Sequence, residues 1–172
     1  NRVTYARELQ ETAGLAASNQ TVSTYIQVAR EYGARAAQAG QNPPHDVEEW
    51  TRVEGLWQQA IAQLNLVPQT DLVGYAAAQE LKARYTDDLA QIQVRKVQEE
   101  QAVRSLAAAN TQINRLLASS DTADRGQLIS QIRGVINQLE HIDTGTTAYA
   151  EAQVLLMQAR NKLDQVDAEF GN

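Results

Sequence analysis

The fold is decided by residues 46–67, DVEEWTRVEGLWQQAIAQLNLV, and by the recurrence of their pattern in residues 121–142, DTADRGQLISQIRGVINQLEHI. Apolar residues recur every three or four positions in both stretches, which predicts two amphipathic α-helices. Matching residues are 75 positions apart. The pairs are Asp46 and Asp121, Val53 and Leu128, Trp57 and Ile132, Ala60 and Val135, Ile61 and Ile136, Gln63 and Gln138, Leu64 and Leu139, and Val67 and Ile142.

The recurrence extends to both sides of these helices. A segment of about 75 residues beginning near Tyr25 recurs from near Ala102, and the spacing slips by one position in the following turn, so that Tyr75 matches Tyr149. Such periodicity is typical of stacked helical units that cannot bury an apolar face alone. The chain is therefore expected to be all-α, an elongated array of two three-helix repeats with antiparallel packing and a shared central helix.

Turn and cap signals divide the chain into six predicted helices. Asp46 is a predicted N-cap, Asp121 and Asp124 repeat its arrangement in the second copy, and Thr70 or Asp71 is predicted to cap the helix after Pro68. Ser18-Asn19-Gln20 predicts a break that ends an N-terminal helix over residues 1–20, which we interpret as a remnant of a preceding repeat. Repeat 1 is predicted over residues 21–98 and repeat 2 over residues 99–172. Predicted helices cover about 21–39, 46–66, 71–118, 121–139 and 147–168, and the third of these is the shared one, because residues 71–118 contain one glycine and no proline.

Composition excludes several classes of function. The formal net charge of −6 argues against nucleic acid as a partner, because phosphate binding needs clustered Lys and Arg. No apolar run approaches the roughly 20 residues that cross a bilayer, so this segment is not expected to insert directly into a membrane. There is no cysteine for a thiolate metal site or nucleophile. Because the chain starts at Asn1 without an initiator Met, it is expected to be a piece of a longer protein.

Titratable residues offer little for catalysis or metal binding. His45 and His141 lie in turns far apart in the sequence, and we interpret both as solvated loop residues. The paired acids Glu48-Glu49, Asp87-Asp88 and Glu99-Glu100 are sequence neighbours, whose side chains diverge on a helix and are expected to face solvent. No catalytic residue, cofactor site or metal site is therefore predicted, and the chain is not expected to be an enzyme.

The two tryptophans lie one heptad apart on the apolar stripe of residues 46–67. Trp57 is predicted to be a core residue, since an apolar Ile132 takes its place in the second copy. Trp50 is matched by Arg125, so it is expected to be half-exposed near the start of its helix. Aromatic residues are enriched at protein interfaces, and Trp50 is therefore the predicted contact for a protein partner.

The run Trp50-x2-Val53-x3-Trp57, continued to Pro68 and followed by Tyr75-x2-Ala78-Gln79, resembles helical repeat segments of cyanobacterial multidomain and membrane-anchored proteins. These segments are similar in style to tetratricopeptide-type repeats. The resemblance implies a non-catalytic extension of a larger protein, tethered to a membrane or located outside the cytoplasm. It supplies no binding residues. Both Trp positions and Pro68 are lost in the second copy.

The expected function is a protein-interaction or spacer domain whose partner the sequence does not identify. A self-associating coiled-coil domain is the first alternative, in which a second copy covers the apolar stripe of residues 75–117 and forms a homodimer. Covering of that stripe by the other helices of the same chain would favour the first hypothesis. A small-ligand sensor domain is the second alternative, and it requires a pocket with convergent polar groups.

Overall fold

The computed structural model describes residues 2–119 and 124–169, and every regular element within them is an α-helix. The all-α class is confirmed. The helices are α1 (Arg2–Ala39), α2 (Val47–Leu64), α3 (Leu72–Ser119), α4 (Arg125–Glu140) and α5 (Tyr149–Glu169). Over these residues no helix combines the length and the apolar character needed to span a membrane.

The chain divides into two compact units, each containing segments of three helices. Unit 1 comprises Asn1–Gln41 and Trp50–Gln93, and therefore holds α1, most of α2 and the first half of α3. Unit 2 comprises Asn42–Glu49 and Val94–Asn172, and holds the second half of α3 with α4 and α5. The boundary between the units falls inside α3.

Aspartates begin two of the helices as the sequence predicts. The backbone N–H of Glu49 donates to Oδ1 of Asp46 at 2.8 Å, and that of Gly74 donates to Oδ1 of Asp71 at 2.9 Å. Each carboxylate satisfies an N–H that has no acceptor inside its helix, which stabilises the helix start. The predicted cap Asp46 is confirmed, and of the two candidates Thr70 and Asp71 it is Asp71 that caps α3.

α3 runs without interruption for 48 residues, as its lack of proline predicts. At 1.5 Å per residue it is about 72 Å long. Its only glycine, Gly74, lies in the first turn, where the helix needs no special flexibility. The predicted single central helix is confirmed.

The predicted break at Ser18-Asn19-Gln20 is wrong, because α1 is one helix from Arg2 to Ala39. Just after these residues, the hydroxyls of Thr21 and Thr24 donate to the carbonyls of Ala17 and Gln20 at 3.0 and 2.9 Å. Such bonds compete weakly with helical geometry and leave the backbone ladder intact. With neither proline nor glycine from residue 15 to 32, nothing stops the helix.

Unit 1 has two adjoining clusters of buried side chains. One joins α1 and the α2–α3 turn to the start of α3, and the other lies around the tryptophans of α2. The first contains Val22, Ala29, Leu64, Val67, Ala78 and Leu81, and the second contains Ala36, Trp50, Val53 and Trp57. Residues of α1 that face α2 are small, which lets the bulky residues of α2 approach closely.

Unit 2 has one cluster, formed by α3, α4, α5 and the turn before α5. Its buried members are Ala102, Ala109, Val135, Leu139, Ile142, Ala148, Ala152 and Leu156. The predicted cap Asp121 lies outside the described residues. Asp124 instead precedes α4, in extended conformation and without a side-chain cap bond.

Candidate functional site

Trp50, the predicted partner contact, is buried. Its side chain is 2% exposed and packs in the cluster with Ala36, Val53 and Trp57. The expected half-exposure is wrong because Ala36 and Ala39 of α1 are too small to hold α2 away, so the first turn of α2 sinks into the core. A buried indole offers no surface to a partner. Trp57 is also buried, as predicted.

A tight aromatic contact closes unit 1 around Trp57. The rings of Trp57 and Tyr85 are tilted by 56°, with centroids 5.0 Å apart. The Tyr85 ring lies against Gly33 of α1, where an added Cβ would be 2.6 Å from its Cζ and its Oη. Burial raises the pKa of Tyr85 above its usual 10.0, partly opposed by Arg30 and Arg84. Gly33 is thus the position that admits the ring.

Glu99 is the most buried charged side chain among the described residues, at 1% exposure. Its carboxylate accepts the backbone N–H of Thr147, with Oε2 at 3.0 Å, and the Thr147 hydroxyl donates to Oε1. The predicted solvated position of Glu99 is therefore wrong. A carboxylate from α3 thus holds the turn two residues before α5, where the dipole of the helix start favours negative charge.

Its neighbour Glu100 is half-buried, with its side chain 33% exposed, rather than fully solvated as predicted. Glu100 pairs with Arg104 one turn later, at 3.3 Å between Oε2 and the guanidinium. The two acids of the pair therefore differ: Glu100 keeps part of its side chain in solvent, whereas Glu99 is drawn into the core by a turn 48 residues away. Sequence spacing along α3 contains no signal for this contact.

At the start of α3, unit 1 has an open groove with a volume of about 710 Å³. The α1 residues that line it include Asn19, Ser23 and Gln27, all exposed, while Asp71 and Val73 line it from the start of α3. The carboxylate of Asp71 accepts the backbone N–H of Gly74 as the cap of α3. The polar side chains lie along a solvent-facing helix edge rather than converging on a point, so the groove is a poor fit to a small-ligand pocket.

The histidines occupy different environments. His141 is exposed, and its Nδ1 lies 2.6 Å from the carbonyl of Asn137. His45 was expected to be solvated, but its side chain is only 12% exposed, and its Nδ1 lies 3.0 Å from Oε2 of Glu49. The turn before α2 packs into unit 2, which explains its burial. No group of three or more His, Asp or Glu residues able to hold a metal occurs in the part of the chain described.

The N-terminal half of α1 is the largest segment of described helix without packing. Every residue from Ala6 to Thr21 is exposed, including Leu9 at 56% and Leu15 at 65%. From Ala6 onward, burial on this helix begins at Val22. The sequence predicts a separate helix here, and its pattern does not mark this surface.

The chain matches no protein-family model, and neither curated proteins nor solved structures show a significant match to it. The resemblance to cyanobacterial helical repeat segments therefore stays a prediction.

Proposed function

We propose that this chain is a non-catalytic helical repeat domain that acts as a spacer or protein-interaction surface in a larger protein. The observation that carries the proposal is the division into two three-helix units that share α3. Units of this kind typically build extended arrays, whose function lies in length and surface rather than in an enclosed site. The described residues include two buried polar side chains, Glu99 and Thr146, and both make hydrogen bonds in the turn before α5.

Equivalent burial in the two units supports the repeat. Four pairs of residues 75 positions apart, in α2 and α4 and the turns that follow them, are buried in both units, as are Ala78 of α3 and Ala152 of α5, which are 74 positions apart. Two other pairs differ, because Trp50 and Val53 are buried whereas Arg125 is exposed and Leu128 is half-buried. The buried pairs are Trp57 and Ile132, Ala60 and Val135, Leu64 and Leu139, and Val67 and Ile142.

The first helices of the units correspond at a spacing of 80 rather than the 77 suggested by Tyr25 and Ala102. Residues 21–29 of α1 and 101–109 of α3 have the same order of exposed, half-buried and buried positions. Val22 and Ala29 thus correspond to Ala102 and Ala109. Ala29 and Trp57 are 28 positions apart, whereas Ala109 and Ile132 are 23 positions apart, so the change of spacing from 80 to 75 falls between these matched residues.

Side-chain sizes are exchanged between the units at corresponding positions. Gly33 faces Tyr85 in unit 1, whereas unit 2 has Ile113 and Ala159 at these places, both half-buried against its core. Loss of bulk on one helix is matched by gain on the other. Such exchange keeps core volume constant, which is how cores tolerate substitution.

A second exchange lies at the start of the third helices. Val22 packs where a Cβ on Gly74 would stand, and the corresponding residues of unit 2 are Ala102 and Ala148, both buried. The large Val22 and the side-chain-free Gly74 of unit 1 are thus replaced by two alanines in unit 2. Compensation at two separate places favours a common packing plan for both units.

The spacer proposal is tested by the size of the chain in solution. A compact globule of 172 residues has a radius of gyration of about 16 Å, whereas a rod of the length of α3 alone has about 21 Å. We expect small-angle scattering to give a radius above 21 Å, and light scattering to give the monomer mass of 18.9 kDa across a concentration series. A radius near 16 Å would overturn the spacer proposal.

Self-association through α3 is less well supported. Its stripe over residues 75–92 is covered by α1 and α2, with Tyr85, Leu89 and Ile92 packed against the tryptophan cluster. Further along α3 the cover is partial: Leu106 and Ile113 pack against the core of unit 2, whereas Val103 and Leu117 are 45% and 73% exposed. If the mass measured by light scattering doubles as the concentration rises, self-association into a homodimer becomes the leading proposal for the function.

A further inference from the structure

We infer that the N-terminal half of α1 is the closing helix of another three-helix unit, and that its partner is a helical hairpin of the α1–α2 kind placed just before it in the same polypeptide. The inference rests on the proposed repeat. It specifies the face of α1 that binds, the register of binding and the apolar character of the partner.

α3 belongs to both units. Its residues up to Gln93 complete unit 1, and its residues from Val94 begin unit 2. In the first role, Tyr85, Leu89 and Ile92 pack into the hairpin formed by α1 and α2, against Trp57 and its neighbours. One continuous helix thus closes one unit and opens the next.

Residues of α1 match residues of α3 at a constant spacing. At the spacing of 80, α1 from Thr21 onward corresponds to the part of α3 that opens unit 2. The preceding residues of α1 then correspond to the part of α3 that closes unit 1. In sequence, Tyr5-x3-Leu9 repeats Tyr85-x3-Leu89 at this same spacing. Burial and sequence therefore agree independently on one alignment.

Matched positions of α1 and α3 differ in their exposure to solvent. Leu89, Ile92 and Lys96 are half-buried, and Glu99 is buried, while every residue from Ala6 to Thr21 is exposed. Leu9 is the large apolar residue at the centre of this surface, and it occupies the position of Leu89. Leu15 corresponds to the exposed Arg95, so it lies off the predicted binding face.

The partner is defined by what Leu89 contacts. That face of α2 presents Trp57 and Val53, and α1 contributes the small Ala36. A hairpin that accepts Leu9 is therefore expected to offer bulky apolar residues from one helix and small residues from the other. Covalent continuity favours the same polypeptide as its source, since α2 reaches α3 through a short turn from Asn65 to Asp71.

The test joins a second copy of residues 21–81 directly to Arg2 of the full chain, which places Leu9 where Leu89 stands in unit 1. We expect hydrogen–deuterium exchange of the amides of residues 6–20 to slow by roughly 10- to 100-fold, the factor expected from burying one leucine side chain. A Leu9→Asp variant of the fusion should lose this protection. Leu15→Asp, a matched change off the face, should keep it.

A second control inserts two alanines at the junction. They rotate the face of α1 by about 200° relative to the added hairpin and should abolish the protection. Equal protection with and without the insertion would overturn the inference, as would unprotected amides in the in-register fusion, whether or not the added hairpin folds. Protection that depends on protein concentration would overturn the same-chain source. The solution size and mass of the unfused chain test the spacer proposal separately.

Discussion

Gly33 is the position where a single methyl group should decide the stability of unit 1. Its Cα faces the Tyr85 ring, and a Cβ there would lie 2.6 Å from Cζ and Oη and 3.1 Å from Cε2. The ring has little freedom to retreat, because it is rigid and packs on Trp57. Alanine at residue 33 must therefore displace either Tyr85 or α1.

The magnitude follows from two opposing effects. Overpacking of a core typically costs about 1–3 kcal/mol, whereas replacing a mid-helix glycine by alanine gains about 1 kcal/mol. We expect Gly33→Ala to destabilise unit 1 by about 1 kcal/mol in total. Gly55 of α2 is the matched control, since nothing lies within 4 Å of its Cβ position. Gly55→Ala should stabilise the same unit by about 1 kcal/mol.

Urea unfolding followed by tryptophan fluorescence measures these changes in unit 1 alone, because both tryptophans of the chain lie there. Tyr85→Leu removes the atoms that Cβ would strike. In that background Gly33→Ala should become stabilising, like Gly55→Ala. If Gly33→Ala stabilises the unsubstituted chain as much as Gly55→Ala does, the close approach of Tyr85 to α1 is refuted.

Three further changes test other parts of the packing. Trp57→Ala should destabilise unit 1 by roughly 3–5 kcal/mol in the same urea assay, and a change below about 1 kcal/mol would contradict its core position. Glu99→Ala should destabilise the chain by about 1.5–3 kcal/mol in thermal unfolding and speed amide exchange at Thr147. The control Glu100→Ala should cost less than about 0.5 kcal/mol. Equal losses of stability in the two variants would contradict the stabilising contact between Glu99 and Thr147. Because burial raises the pKa of Tyr85 above 10.0, its neutral form stabilises the fold fully below pH 10, and this contribution falls as pH rises through the folded-state pKa. Urea titrations should therefore show that Tyr85→Phe loses less stability than the parent chain above pH 10, and parallel losses would argue against burial of the hydroxyl.

The helices that the sequence predicts best are those with local signals at their ends. Asp46 and Asp71 stand next to the N–H groups that they cap, so both starts are visible in a few residues. The length of α3 follows from the absence of proline over 48 residues. At Ser18-Asn19-Gln20 the local signal misled, because residues that favour caps only weakly disfavour a helix interior, and no glycine or proline lies from residue 15 to 32 to end the helix.

Predictions about exposure failed where a distant segment decides the environment. Trp50 looked half-exposed because Arg125 takes its place in the second copy, yet α1 brings small residues against it and buries it. Glu99 looked solvated because it lies among charged residues, yet the start of α5 draws it inward. His45 is likewise buried by its own loop packing into unit 2.

The apolar spacing of three and four residues was enough to predict an all-α chain, because helix formation and capping depend on neighbours within about one turn. The recurrence at 75 positions predicts two related halves. Tertiary packing decided which small residue faces which large one, which carboxylate is buried, and where along α3 one unit ends. Those outcomes depend on contacts between residues about 50 positions apart, such as Gly33 with Tyr85 and Glu99 with Thr147. No local pattern encodes such contacts, since each is set by the summed fit of three helices.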